Sequence, residues 1–204
     1  MAKGKVSTRT FVAYLTTAGP KRLSVVSKQV AYKDKPFPGD PYARLYSAMA
    51  SSVRLNDPAP VWAAVTNEST RMRASYGECA EGWEQIVPAF HGAVVERRHT
   101  GVWSARRITV NVTPHLRLSY PDGRRELVWV HARAEKPDPL EIDAVLWLLE
   151  QAADDLLQNA EPVFVDVRRA RLIRRRPSQV TTPWMEAEAA GFAELLDQFA
   201  TSAA

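Results

Sequence analysis

Apolar residues in the first hundred positions recur at spacings of three and four, which is the period of an amphipathic helix. Between Tyr42 and Leu55, for example, Leu45, Met49 and Val53 repeat every four residues. Proline, glycine and asparagine separate these segments, and the proline-rich stretch 33–41 is predicted to be a loop. The pattern predicts helices over residues 7–17, 20–32, 42–55, 61–68 and 78–87.

From about Val102 the apolar residues alternate with polar ones, which is typical of strands. The alternation continues from Ile108 to Tyr120 across Pro114, so we predict one strand with a proline interruption or a bulge. The tripeptide at positions 121–123, Pro-Asp-Gly, favours a tight turn. A hairpin is therefore expected, with a return strand over Glu126–Ala134 that has one face of small apolar residues.

The last seventy residues predict a helix, a strand and a second helix. Asp138 is a candidate N-cap, and an apolar stripe continues from Ile142 to Leu156. Residues 162–167 are apolar on both sides, as in a central strand, and 183–200 again has helical spacing. The expected class is α+β: a helical region over residues 1–100, then an α/β core over 101–204 with a small mixed sheet flanked by helices, packed as one unit.

Composition narrows the classes of protein only moderately. The 204 residues are 46% hydrophobic and carry a formal net charge of +4, a mild basic excess that many proteins show. Cys79 is the only cysteine, which excludes an intramolecular disulfide scaffold and favours a cytoplasmic location. No window approaches the roughly 20 apolar residues of a membrane helix, so no membrane partner is expected.

The functional signal is a run of six arginines within nine residues at the end of the last predicted strand. Arginine binds phosphate with a planar fork of donors, and such a run contacts a nucleic-acid backbone without reading its sequence. We therefore predict DNA, RNA or another polyanion as the partner. The predicted contacts are Arg168, Arg169, Arg171, Arg174, Arg175 and Arg176, with Arg124 and Arg125 in the hairpin turn and Arg97, Arg98, Arg106 and Arg107 as extensions.

Two other interpretations remain open for these residues. Strand side chains alternate, so at most half of the run shares one face, and solvated or ion-paired arginines at a sheet edge give the same pattern. Asp166 is expected to pair with one of the arginines. A different class of function is self-association or protein binding through the helical half, with Tyr42, Tyr46 and Trp62 as candidate anchors.

The order of strands and helices in the C-terminal half resembles the core of the PD-(D/E)XK nuclease-like superfamily. That family uses a carboxylate on the second core strand and Glu-x-Lys on the third to hold a divalent cation. Here the segment Ile108–Tyr120 contains no Asp or Glu, and His131-Ala132-Arg133 stands where Glu-x-Lys is expected. The resemblance implies the fold with its catalytic site lost, unless carboxylates have migrated to Glu126, Asp143 or Asp166.

The C-terminal half is also similar to uncharacterised proteins of actinobacteria. The similarity lies in a short hairpin, a helix such as Asp143–Leu157, a strand such as Val165–Arg171 and an acidic, alanine-rich last helix such as Glu186–Phe199. It implies a shared fold family and carries no activity. A non-enzymatic binding protein is therefore our first hypothesis.

The other candidate residues do not indicate a catalytic or cofactor site. His91, His99, His115 and His131 lack zinc-ligand spacing, so neither a metal nor another cofactor is predicted. Cys79 follows a predicted helix start, where the helix dipole lowers a thiol pKa, but a small buried residue is the commoner role. The six tryptophans are spread along the chain and are expected to pack in the core.

Overall fold

The computed structural model describes residues 4–31, 39–105, 107–174 and 178–202, which form an α+β fold as predicted. Arg106, Arg175, Arg176 and most of the predicted loop 33–41 lie outside the described residues. The helices are α1 (Thr8–Thr16), α2 (Pro20–Ala31), α3 (Ala43–Leu55), α4 (Ala59–Thr66), α5 (Thr70–Ile86), α6 (Pro139–Gln151), α7 (Ala153–Leu156) and α8 (Thr182–Ser202). The strands are β1 (Gly4–Ser7), β2 (Val94–Val95), β3 (Gly101–Ala105), β4 (Ile108–Val112), β5 (Leu116–Ser119), β6 (Arg125–His131), β7 (Glu161–Asp166) and β8 (Arg171–Ile173).

A five-stranded sheet in the order β2-β5-β6-β7-β8 forms the centre of the molecule. β5 and β6 are the predicted antiparallel hairpin, and α6 connects β6 to the parallel strand β7. Both faces of β6 and β7 are buried, which explains why these strands read as nearly continuous apolar runs. The prediction of a central strand near residues 162–167 is thus confirmed.

Two hydrophobic cores lie on opposite faces of this sheet. On one face, Val128, Val130 and Val165 pack against α3, α4 and α5. On the other face, Trp129 and Phe164 pack in a core shared with α1, α6, α8 and a second, three-stranded sheet in the order β1-β4-β3. Helices from the first hundred residues therefore cover both faces of a sheet built mainly from the second hundred.

The prediction of one strand from Ile108 to Tyr120 is wrong. β4 belongs to the three-stranded sheet and β5 to the five-stranded sheet, and the chain crosses between them at Pro114. Proline has no N–H for a ladder, while the next N–H, that of His115, donates to Val128 O at 2.8 Å in the other sheet. The alternation of apolar residues is the same in both strands, so periodicity alone did not reveal the change of sheet.

Three short strands at the edges of the sheets, β1, β2 and β8, were not predicted. β1 pairs in parallel with β4 and passes directly into α1, where the Ser7 hydroxyl accepts a hydrogen bond from Thr10 N as the N-cap. β8 follows β7 through a 3₁₀ turn at Val167–Arg169 and pairs with it antiparallel. Strands of two to four residues are too short to give a readable period.

The helix predictions are largely confirmed, with corrections at two boundaries. Asp138 caps α6 by accepting a hydrogen bond from Leu140 N at 2.7 Å, as predicted. That helix ends at Gln151, and the stripe continues in the separate turn of α7. α5 begins at Thr70, eight residues before its predicted start, because packing of its buried face outweighs the low helix propensity of Gly77. No helix in the described part of the chain is long and apolar enough to cross a membrane.

Candidate functional site

The arginine run is divided between the two ends of the five-stranded sheet. Arg168 and Arg169 follow the end of β7, whereas the antiparallel return of β8 carries Arg174 back towards the start of β7. Arg171 is exposed at the first position of β8, in register with Asp166. A pattern that reads as one patch in the sequence therefore supplies two separate groups of side chains.

Arg168 has a structural role. Its side chain is only 8% exposed, and its Nε donates to the carbonyl oxygen of Ala132 at 2.8 Å. Nη1 pairs with the carboxylate of Glu78, and Nη2 donates to the hydroxyl of Ser75. The guanidinium thus ties the end of β6 to α5, and few of its donors remain for a ligand.

Arg169 forms the ion pair that was expected for Asp166. Its Nη1 lies 3.1 and 3.3 Å from the two oxygens of the buried Asp166 carboxylate, and Nη2 donates to Ala134 O at 2.7 Å. Because a buried carboxylate needs a partner of opposite charge, this pair accounts for Asp166 without a catalytic role. The guanidinium is 31% exposed.

Arg124, Arg125 and Arg174 come together at the other end of the sheet, around the fully buried carboxylate of Glu126. Arg124 Nη1 and Arg174 Nη2 lie 3.1 and 3.0 Å from Glu126 Oε1. Tyr120 Oη donates to Glu126 Oε2 at 2.7 Å; burial raises the pKa of Tyr120, and this hydrogen bond acts in the same direction. We call this group of Arg124, Arg125, Glu126 and Arg174 the hairpin end.

The hairpin end carries an excess of positive charge at the surface. Arg124 and Arg174 are 38% and 42% exposed, and together they face one carboxylate. Arg124 also lies over the ring of Tyr120, 3.7 Å from its centroid, which fixes its orientation. Arg125 Nη1 donates to the carbonyl oxygen of Gln158, a neutral acceptor, at 3.0 Å. Asp122 in the turn accepts a hydrogen bond from Arg124 N at 2.9 Å, but the ion pairs that these described guanidinium groups form involve one carboxylate, that of Glu126.

The three carboxylates considered for a metal site do not meet. In the parallel register of β6 and β7, Glu126 lies opposite Glu161 whereas Asp166 lies opposite His131. Five residues therefore separate Glu126 from Asp166 along the strands, roughly 16 Å at the usual rise. The third, Asp143, lies on α6. Within the described ranges, no three His, Cys, Asp or Glu residues are grouped so that they could hold a metal ion.

A polar cleft between the two sheets was not predicted from the sequence. Arg9, at the start of α1, pairs with Asp40 through Nη2 and Oδ2 at 2.8 Å. The imidazole of His115 packs between two aromatic rings, with its centroid 3.9 Å from that of Tyr46 and 4.7 Å from that of Trp129. We call this arrangement of Arg9, Asp40, Tyr46, His115 and Trp129 the His115 cleft.

His115 is neutral in this environment. Its Nδ1 accepts a hydrogen bond from Val130 N at 2.8 Å, so the proton of the neutral ring is on Nε2. Burial lowers the pKa of His115 to about 3, and the positive charge of Arg9 acts in the same direction. A lone histidine after a proline gives no sequence signal for such a site, because its neighbours come from α1, α3 and β6.

The low pKa of His115 predicts a loss of stability in acid. Because the folded pKa lies below the unfolded value of about 6.5, the unfolded state binds the extra proton first. Above about pH 6.5, the contribution of His115 to the free energy of unfolding is complete. This contribution is lost as the pH drops from about 6.5 towards 3. Urea titrations at pH 7 and pH 4.5 measure this fall in the free energy of unfolding. The fall should be smaller in His115→Gln than in the wild type, because glutamine does not titrate and keeps an acceptor for Val130 N. An equal loss in both proteins would contradict the assignment.

The remaining candidates have internal roles. Cys79 is fully buried in the middle of α5, and burial raises its pKa to about 11, so the expectation of a buried residue is confirmed. Tyr46 is 8% exposed, and the Tyr42 hydroxyl lies 2.8 Å from Ser75 Oγ, so these two proposed anchors contact their own chain. Trp62 is 36% exposed and is the most exposed of the three proposed anchors.

Comparison with known proteins identified no related protein. No protein-family model, no curated protein and no solved structure matches this chain.

Proposed function

We propose that the protein binds a polyanion, with a nucleic-acid backbone as the first candidate, through the arginines of the hairpin end. The observation that carries the proposal is the charge arrangement around Glu126. One buried carboxylate orients Arg124 and Arg174, and both side chains remain about two-fifths exposed. Arg175 and Arg176 follow directly in the sequence and add charge to the same segment.

The ratio of charges favours this end of the sheet over the end that carries Arg168 and Arg169, because Arg124 and Arg174 share one carboxylate. A guanidinium already held in place loses less conformational entropy when it binds a phosphate. Arg168 and Arg169, by contrast, each have a carboxylate partner and a backbone carbonyl as acceptor. The proposal therefore narrows the predicted set of arginines to Arg124, Arg125 and Arg174, with Arg175 and Arg176.

The first test is fluorescence anisotropy with labelled single- and double-stranded oligonucleotides over a series of salt concentrations. Three to five arginine–phosphate contacts predict that log Kobs falls with log[salt] with a slope of about −2 to −4.5, with little dependence on base sequence. Binding that is absent at low salt, or independent of salt, would contradict a polyanion site. A stable oligomer in sedimentation experiments would instead favour association through the helical half.

The same titrations with and without Mg²⁺ separate binding from cleavage. The proposal expects intact oligonucleotide in both conditions. Mg²⁺-dependent cleavage that is lost in Asp166→Asn would favour the nuclease hypothesis, whereas cleavage unchanged by that substitution would indicate a contaminant.

A further inference from the structure

The His115 cleft opens into two neighbouring cavities. The first, of about 480 Å³, lies between α1 and the three-stranded sheet, and the second, of about 310 Å³, lies against α3. Both are lined by Asp40, Arg98 and His115, so these three residues mark their junction. Together the cavities have the size of an ordinary small-molecule site.

The first cavity has an excess of positive charge. Its lining includes Lys5, Arg9 and Arg98, against the single carboxylate of Asp40. Arg98 is exposed and has no hydrogen bond or ion pair with any described residue, so its guanidinium is available to a ligand. An anion that enters this cavity therefore meets two more positive charges than negative ones.

Neutral donors line the same cavity. The hydroxyls of Thr100 and Thr113 lie 2.8 Å apart, and those of Ser7 and Thr10 lie 3.0 Å apart. Two hydroxyls that share one hydrogen bond use only one of their protons, so each pair retains a donor for a third group. Ser7 and Thr10 also lie at the N-terminus of α1, where the helix dipole favours negative charge.

His115 supplies a further donor at the junction of the two cavities. Because Nδ1 already accepts from Val130 N, the neutral ring presents Nε2–H. That nitrogen has no hydrogen-bond partner among residues 4–31, 39–105, 107–174 and 178–202. The wall of the second cavity is partly apolar, with Ala43, Tyr46 and Ala50.

We propose that the His115 cleft binds a phosphate monoester of a small organic molecule. The phosphate contacts Arg9, Arg98 and the hydroxyl pairs in the first cavity, and the organic group lies along Tyr46 in the second. A phosphate monoester suits this lining because its three terminal oxygens accept from several directions, whereas a carboxylate offers two oxygens in one plane. The proposal is independent of polyanion binding at the hairpin end.

Calorimetric titration with inorganic phosphate and with adenosine monophosphate tests the proposal. We expect one site per chain, tighter binding of the nucleotide than of phosphate alone, and weaker binding of malonate. Arg98→Ala should weaken phosphate binding about tenfold or more, as for the loss of a charge-assisted contact. The matched control is Arg97→Ala, which removes the same charge from the adjacent exposed residue outside the cavity lining and should change the affinity less than about twofold.

A second readout locates the ligand. Titration with phosphate should shift the ¹⁵N resonance of His115 Nε2 in the wild-type protein and leave that of the exposed His91 unchanged. The proposal is overturned by any of three results: no binding of phosphate or the nucleotide at millimolar concentration, equal losses in the Arg97 and Arg98 variants, or malonate that binds as tightly as phosphate. Substitution of Arg125 should leave phosphate binding unchanged, which separates this site from the hairpin end.

Discussion

Gly82→Ala should prevent stable folding or lower the free energy of unfolding by more than about 3 kcal/mol. Gly82 lies in α5 where the helix crosses the 3₁₀ turn after β7, and an added Cβ would lie 1.7 Å from the carbonyl oxygen of Val167. A contact with backbone cannot be relieved by a change of rotamer. The helix would have to move from the sheet, which would disturb the packing of Trp83 and Cys79. Chemical denaturation followed by circular dichroism measures the effect.

Gly77→Ala in the same helix is the matched control. No atom lies within 4 Å of the position that its Cβ would occupy, and its backbone is helical. The substitution should raise the free energy of unfolding by about 0.5–1 kcal/mol, because alanine has the higher helix propensity. Equal effects of the two substitutions would show that propensity, and not the approach of α5 to the turn, determines the result at Gly82.

Glu126→Gln should destabilise the fold and strengthen polyanion binding. The substitution removes the one charge that Arg124 and Arg174 share in a fully buried position. The amide oxygen can still accept from both guanidinium groups at the position of Oε1, but as a neutral and therefore weaker partner, while the NH2 group faces the Tyr120 hydroxyl. Loss of one partner of a buried ion pair costs about 3–5 kcal/mol, and the partial exposure of both arginines places the expected loss near 2–3 kcal/mol. The freed positive charge should steepen the salt dependence of oligonucleotide binding by up to about 0.9 in slope.

The matched control for stability is Glu161→Gln. Glu161 lies opposite Glu126 in the register of β6 and β7 but is exposed, so the same change of charge there should alter the free energy of unfolding by less than about 0.5 kcal/mol. If Glu126→Gln unfolds like the wild type, the carboxylate does not organise the arginines. A destabilised Glu126 variant with unchanged oligonucleotide binding would instead show that these arginines stabilise the fold without contacting a ligand.

Local patterns in the sequence predicted the elements better than their connections. The four-residue repeat of Leu45, Met49 and Val53 and the cap at Asp138 depend on neighbours in the chain, and both predictions are confirmed. The switch of sheet at Pro114 could not be predicted, because strands in different sheets share one alternating pattern. Packing of α1 on α6 joins segments more than a hundred residues apart, which no local period reports.

The arginine run shows the same limit for function. Its six arginines lie within nine positions of the sequence, but the partners of Arg168 are Ser75, Glu78 and Ala132, which lie in distant segments. Only the fold therefore distinguishes an arginine with three internal acceptors from one that faces solvent. The His115 cleft gave no signal for a related reason, since Arg9, Asp40 and His115 form no motif along the chain.

Two triple variants with equal net charge test the central claim, that the hairpin end binds a polyanion. Replacing Arg125 of the hairpin end, together with Arg175 and Arg176 that follow Arg174 in the sequence, by Ala lowers the formal net charge from +4 to +1. Replacing the exposed arginines of α3 and α5, Arg54, Arg71 and Arg73, lowers it by the same amount. Anisotropy with one labelled oligonucleotide over a series of salt concentrations compares them. Our account predicts that the first variant loses most of the affinity and flattens the salt slope by about 2 to 3, while the second stays close to the wild type. Equal losses in the two variants would contradict the account, because overall charge and not the hairpin end would then determine binding.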